Sequence, residues 1–242
     1  MDTAVCGGQT PQRPMKTIAV DIKTINAWPI AQAGLPERVT HGLLKAGIAT
    51  VGELRRLSED EQRRFRGIGA RSTNDIRDFF KACARLETGT EVFTDWSKLC
   101  TSLLTPIQRR ILETRFALLE TDIPRGRQPT LQHIADAHGL TRERVRQIEA
   151  RALRSLSSAW AQARTAPILD YFKTEILARG DVLTAEALAT LPTEPWLGRY
   201  HSFGALALLS ACGGGITRHG MIFSTRPPDI LLRIEQAMRL RL

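Results

Sequence analysis

The residues best placed to do chemistry lie on one basic helix near the middle of the chain. Residues 131–156 read LQHIADAHGLTRERVRQIEARALRSL, which predicts a short helix, a turn at Gly139 and a longer helix capped by Thr141. The opposite faces of that longer helix differ: one carries guanidinium, carboxylate and amide groups, which can bond to base edges. The other would be buried, since apolar residues recur there at helical spacing: Val145, Ile148, Ala152 and Leu156. This pattern is typical of a helix-turn-helix that presents its second helix to a major groove.

An ordinary exposed amphipathic helix would share that charge pattern, but the string itself is more specific. LTRERVRQIEARALRSL closely resembles the recognition helix of region 4 in primary-type bacterial sigma factors. The flanking segment LTPIQRRIL at residues 104–112 agrees, so the resemblance covers roughly residues 100–158. The chain departs from that family at Ala117, where a glycine is usual, and in a longer, arginine-containing connection at residues 118–128. In that family the helix reads the promoter −35 element.

The resemblance implies a role for each matched position of this helix. Three residues would face base edges: Arg142, Glu143 and Gln147. Five would contact phosphates: Thr141, Arg144, Arg146, Arg151 and Arg154. The chemistry agrees, because arginine pairs with guanine, glutamate accepts from cytosine and glutamine bonds adenine.

A second module is predicted upstream. Residues 35–48 read LPERVTHGLLKAGI, an amphipathic helix that should end at Gly47. Capping boxes follow at residues 50–53 and 58–61, and a glycine–hydrophobic–glycine turn at residues 67–69 leads into a helix predicted over residues 72–86. Such a turn lets backbone amides approach a phosphate, although many ordinary turns share it.

Residues 35–86 resemble the C-terminal domain of the α subunit of bacterial RNA polymerase, which is a helix-hairpin-helix module. In that family this surface enters an A/T-rich minor groove and also contacts activators and sigma region 4. The resemblance implies that Arg38 enters the groove and that Gly69, Arg71 and Ser72 hold phosphates. His41 lies on the same surface, but His41 and Gly67 stand where the usual pattern has asparagine. A helical interaction module that never touches DNA is the alternative.

The predicted fold class is mostly α, with several small helical domains. We predict a disordered tail and an extended lead-in at residues 1–30, the α-subunit-like module at 31–88, the sigma-like module at 89–164 and a small C-terminal domain at 165–242. Residues 87–91 would be a linker, the recognition helix would continue to about Ala163, and Pro167 would begin the last part. For that part we predict helices at 168–178, 184–189, 202–211 and 229–240 and a hairpin around residues 218–220. It suggests either a winged-helix-like domain or a docking or dimerisation domain without DNA contact.

The composition favours a polyanionic partner. The net charge is +9, as expected of a protein that binds nucleic acid, although a merely soluble basic protein would share it. Scattered cysteines without a CxxC pair predict reduced thiols rather than a zinc site: Cys6, Cys83, Cys100 and Cys212. No apolar run reaches membrane-spanning length. We therefore expect no metal, no cofactor and no membrane partner, and a cytoplasmic, nucleoid-associated protein.

The sequence contains no P-loop, GxSxG or HExxH motif, so an enzyme is not expected. It predicts a sequence-specific transcription regulator that binds double-stranded DNA and engages RNA polymerase through its β flap, sigma or α subunit. The alternative is an interaction protein that mimics sigma region 4 on polymerase, with DNA binding secondary. The tryptophans and tyrosines are spread along the chain, so we expect no strand-separating helix and no complete sigma factor. A homodimer, the DNA target and the sign of regulation stay open.

Overall fold

The computed structural model describes residues 17–93, 95–119 and 129–227. The described chain is mostly helical, as predicted, with two small sheets. The predicted tail at residues 1–16 and the predicted terminal helix at residues 229–240 lie outside the described residues.

The first unit is a compact group of short helices closed by one long helix. Its elements are strand β1 (Thr17–Ile18), helix α1 (Ile22–Ala27), a 3-10 turn (Ile30–Gln32), and helices α2 (Glu37–Lys45), α3 (Val51–Arg55), α4 (Glu59–Arg63) and α5 (Ala70–Glu87). Both predicted capping boxes are confirmed, with Thr50 and Ser58 as the caps of α3 and α4. The prediction of an extended lead-in before residue 31 is wrong in part, because Asp21 caps helix α1 in that segment. Helix α5 begins at Ala70, two residues before the predicted start.

The second unit contains the predicted helix-turn-helix. It consists of strand β2 (Glu91–Val92) and helices α6 (Trp96–Leu103), α7 (Pro106–Arg115), α8 (Leu131–His138) and α9 (Arg142–Leu156). Thr105 and Gln108 form the capping box of α7, and Gly139 makes the turn after α8 in the left-handed conformation, at φ 62°. Ala117 is also left-handed, at φ 49°, a conformation that costs a residue with a Cβ atom about 1–2 kcal/mol. That cost gives a physical reason for a glycine there.

The third unit follows without a break. Helix α9 ends at Leu156, so its predicted extension to Ala163 is wrong: the Ser158 hydroxyl caps a new helix, α10 (Ala159–Ala178). Pro167 lies inside α10 and does not begin a new part of the chain. The remaining elements are β3 (Leu183–Thr184), α11 (Ala185–Ala189), α12 (Glu194–Leu197), α13 (Ser202–Ala211), β4 (Thr217–His219) and β5 (Ile222–Ser224). The antiparallel sheet has the order β3-β5-β4, which agrees with a winged-helix-like arrangement.

One hydrophobic core joins the three units. It runs without interruption from Ile18 in β1 to Phe223 in β5 and includes Phe172 of α10 and Leu156 of α9. A second, smaller cluster lies inside the helix-turn-helix: Ile111, Ile134, Ala135, Val145 and Ile148. The predicted linker at residues 87–91 is wrong in part, because Glu87 ends α5 and Glu91 is buried in the sheet that pairs β2 with β1.

Helix α13 is docked on the helix-turn-helix unit. All residues from Ser202 to Leu209 are buried. A Cβ atom on Gly204 would lie 2.2 Å from the carbonyl oxygen of Phe116, and the His201 amide donates to the carbonyl of Leu118 at 2.7 Å. A polar contact adds to this packing, since the Tyr200 hydroxyl donates to Glu113 of α7 at 3.2 Å. The helix that would enter a groove in a winged helix is therefore buried against the helix-turn-helix unit.

Candidate nucleic-acid interface

The surface of α9 agrees with the predicted pattern. The four apolar residues of the predicted stripe are buried, with Ile148 at 7% exposure and the others at 0%. The opposite face is solvent-exposed and carries every residue predicted for DNA contact: Thr141, Arg142, Glu143, Arg144, Arg146, Gln147, Arg151 and Arg154. The Thr141 hydroxyl caps the helix by accepting from the Arg144 amide at 3.1 Å. The fold thus presents one continuous polar row.

A hydrogen-bonded network organises the first half of that row. Arg146 donates to both carboxylate oxygens of Glu143, from Nε and Nη2, at 2.8 Å each. Gln147 donates to the same carboxylate at 3.2 Å, and its own carbonyl oxygen accepts from Arg144 at 3.5 Å. The hydrogen bond from Arg146 and, after it, that from Gln147 lower the pKa of Glu143 to about 2. Glu143 is therefore held as a carboxylate in a fixed orientation.

This network leaves room for a further donor. A carboxylate offers about four lone-pair positions, and the contacts from Arg146 and Gln147 occupy three of those on Glu143. The remaining position could accept from an amino group such as cytosine N4 without breaking the pair. Arg146, by contrast, would share its guanidinium between Glu143 and any phosphate.

A pH titration tests whether the network forms in solution. Because the pKa of Glu143 is depressed in the folded protein, the favourable interaction is present above the ordinary value of 4.5 and is lost as the pH falls towards about 2. Carboxyl-carbon NMR should therefore show Glu143 still ionised near pH 3.5, and Arg146→Ala should move its midpoint up towards 4.5. A wild-type midpoint already at the ordinary value would mean that the pair is open in solution.

A second ion pair, which the sequence did not indicate, holds α9 against α7. Arg115 Nε lies 3.1 Å from an oxygen of Glu149, and Arg115 Nη1 donates to the carbonyl oxygen of Pro129 at 2.6 Å. The Arg115 side chain thus joins the end of α7, the segment before α8 and the middle of α9. These contacts fix the orientation from which α9 presents its polar row.

In the first unit, the predicted residues lie in the first half of α2 and at the start of α5. Arg38, His41, Gly69 and Arg71 are exposed, whereas Ser72 is buried at 3% exposure. No atom lies within 4 Å of the position that a Cβ atom on Gly69 would take, so the approach to this helix start is open. Arg38 forms an ion pair with Asp75 of α5, a residue that the sequence analysis did not single out.

Other site chemistries receive no support from the described residues. Within residues 17–93, 95–119 and 129–227, no three His, Cys, Asp or Glu side chains are grouped as a metal site would require. Burial raises the pKa of Cys83 and of Cys212 to about 12 each, and raises that of Cys100 as well, so these thiols stay protonated. No helix in this part of the chain is long and apolar enough to cross a membrane.

Two segments match known family models. Residues 102–158 match Sigma-70, region 4, and residues 18–82 match the C-terminal domain of the bacterial RNA polymerase alpha chain. The protein thus joins a sigma region 4-like module to a module that resembles the C-terminal domain of the polymerase alpha chain. The second match starts at residue 18 and so includes Ile18 of β1 and all of α1, which the resemblance in sequence had left out.

Comparison with individual proteins finds similarity over part of the chain. The chloroplastic RNA polymerase sigma factor sigF of Arabidopsis thaliana is 35% identical over 68 residues. Those residues make up 28% of this chain and 12% of that protein, so the chain spans a small share of its relative. No solved structure matches the chain.

Proposed function

We propose that this protein is a sequence-specific DNA-binding transcription regulator that reads a promoter or operator element with α9 and engages RNA polymerase. The observation that carries this proposal is the exposed polar row of α9, which lies within the segment that matches sigma region 4. The net charge of +9 supports a DNA partner.

In the proposed complex, the N-terminal half of α9 enters the major groove. Arg142, Glu143 and Gln147 face base edges there, while Thr141, Arg144 and Arg146 approach the phosphates beside the groove. Arg151 and Arg154 lie further along the same helix and meet the backbone where α9 leaves the groove. The protein positions a duplex and does not open it, since five of its six tryptophans and tyrosines are buried and so cannot stack on bases: Trp28, Trp96, Trp196, Tyr171 and Tyr200.

Selection of bound fragments from a random duplex pool, without polymerase, tests the proposal. A defined sequence should emerge, and its affinity should fall steeply with salt, with a log–log slope of about −0.9 per phosphate neutralised. Arg151→Ala should make that slope shallower by about one and leave the selected sequence unchanged. Arg179→Ala, at the end of α10, removes an equal charge away from α9 and should leave the slope as it is. A salt-independent affinity would contradict the phosphate role.

The second candidate function is docking on RNA polymerase, with DNA binding secondary. It is favoured by the ion pair between Arg38 and Asp75, because this pair occupies the arginine that the resemblance assigns to a DNA groove. This candidate predicts that the protein binds core RNA polymerase in a pull-down but selects no duplex in the absence of polymerase. A protein that selects a duplex alone would fit the first.

Asp75 offers a sharper test of the first module. If Arg38 contacts DNA, Asp75 competes with the duplex for that guanidinium. Asp75→Asn should then raise DNA affinity by up to about fivefold, since an exposed ion pair contributes about 0.2–1 kcal/mol. Asp78→Asn is the matched control, because it makes the same change of charge on the same helix but releases only the exposed Lys81.

Affinities measured for both variants decide between the outcomes. An equal gain from Asp75→Asn and Asp78→Asn would reflect net charge alone. A weaker affinity for Asp75→Asn would mean that Asp75 orients Arg38 rather than competing with DNA.

A further inference from the structure

The α-subunit-like module is fixed to the rest of the chain by a buried carboxylate. Glu91, at 7% exposure, lies 3.1 Å from Arg85 Nε of α5 and 2.7 Å from Arg164 Nε of α10. A carboxylate buried in this way needs cationic partners, and Glu91 takes one from each of two helices. Glu91 therefore ties the last helix of the first module to the helix that follows the recognition helix.

A second junction holds the loop before α2. Gly34 packs so closely on the start of α10 that a Cβ atom there would lie 3.1 Å from both Ser158 Oγ and Trp160 Cβ. Together with the uninterrupted core, these contacts pack the first module directly against the rest of the described chain.

The two candidate DNA surfaces meet at this junction. Arg154 lies on the same exposed row of α9 as Glu143 and Gln147, and its Nη1 is 4.0 Å from a carboxylate oxygen of Glu37. Glu37 is the first residue of α2, and the exposed Arg38 follows it. The polar row of α9 thus continues onto the helix that carries the predicted groove residue of the first module.

We propose that one DNA duplex runs across both modules, so that the protein reads two contacts at a single fixed spacing and on one face of the duplex. This inference rests on the proposed role of α9 in DNA binding.

Insertions in the selected duplex test this fixed spacing. Hydroxyl-radical footprinting of the full chain first defines the stretch protected by α9 and the stretch protected by the first module. An insertion of about 5 bp between them turns the second stretch to the opposite face, and one of about 10 bp restores the face but moves it by about 34 Å. Both insertions should weaken binding about tenfold. If the first module is held rigidly relative to α9, it cannot contact its DNA stretch after either displacement.

Variants on α2 show whether the lost contact is the one proposed. Arg38→Ala should weaken binding to the unmodified duplex to the level of the inserted ones, and insertion should then have no further effect. Lys45→Ala, an equal loss of charge at the far end of α2, should keep the full sensitivity to insertion.

The outcomes separate this inference from the function on which it rests. Recovery of affinity with the longer insertion would show a flexible tether and overturn the fixed spacing. Equal affinity for all three duplexes would mean that α9 alone contacts DNA. Failure to select any duplex would instead contradict the proposed DNA-binding function.

Discussion

Replacing Arg142 by alanine is expected to weaken binding to the selected duplex by about 1–3 kcal/mol, or roughly fivefold to 150-fold, and to relax the preference at one base position. Arg142 lies in the first turn of α9 and is exposed, where a recognition helix presents its base-reading side chains. A bidentate contact with guanine is lost entirely on truncation, because alanine offers no donor. Titration against the selected duplex and each single-base variant measures the change.

The matched control is Arg179→Ala, which removes one arginine from the end of α10 and should change neither affinity nor preference appreciably. If Arg142→Ala weakens binding equally on every sequence, Arg142 contacts phosphate. Only Glu143 and Gln147 would then remain as base-reading residues of this helix.

Gly204→Ala is expected to destabilise the protein, although helix propensity alone predicts the reverse. Gly204 lies inside α13, where alanine is usually favoured over glycine by about 0.5–1 kcal/mol. Its new Cβ atom, however, would lie 2.2 Å from the carbonyl oxygen of Phe116 and 2.9 Å from that of Ala117. Backbone atoms cannot move aside as a flexible side chain can, so α13 must shift. Such overpacking typically costs about 1–3 kcal/mol, which exceeds the gain in propensity.

Thermal or urea unfolding measures this change, and a chain of this size should lose about 2–4 °C in Tm for each kcal/mol. Gly69→Ala is the control, since Gly69 has a negative φ of −103° and no atom within 4 Å of the new Cβ atom. It should lose no more than about 1 kcal/mol, the cost of alanine at an N-cap position. A Gly204→Ala protein as stable as the wild type would show that α13 lies farther from the turn at Phe116.

The signals that the sequence carried well were local ones. The predicted capping boxes at Thr50 and Ser58 both formed, because the partners lie three residues apart and need no tertiary contact. The helix-turn-helix was equally readable, since the turn at Gly139 and the apolar spacing of α9 are both short-range patterns. The roles assigned to its exposed residues stay predictions.

The features that the sequence did not reveal depend on residues far apart in the chain. Glu91 reads as part of a linker until Arg164 is seen beside it, and Arg38 reads as free until Asp75 is placed on the neighbouring helix. The end of α9 was missed for a different reason. Alanine-rich residues 159–163 continue a helical pattern, and only the cap at Ser158 separates the two helices.

The small cluster inside the helix-turn-helix has a consequence for local stability. Its five members pack α8 and the first half of α9 in a cluster of their own. The second half of α9, from Ala152 onward, belongs to the main core. Free energies of local opening are lowest where few apolar side chains are buried, so amide hydrogens of α8 should exchange with solvent faster than those of α13. Helix α8, which packs against the helix proposed to reach the duplex, should thus open more readily than α13. Holding it closed on DNA would reduce its conformational entropy and lower the net affinity accordingly.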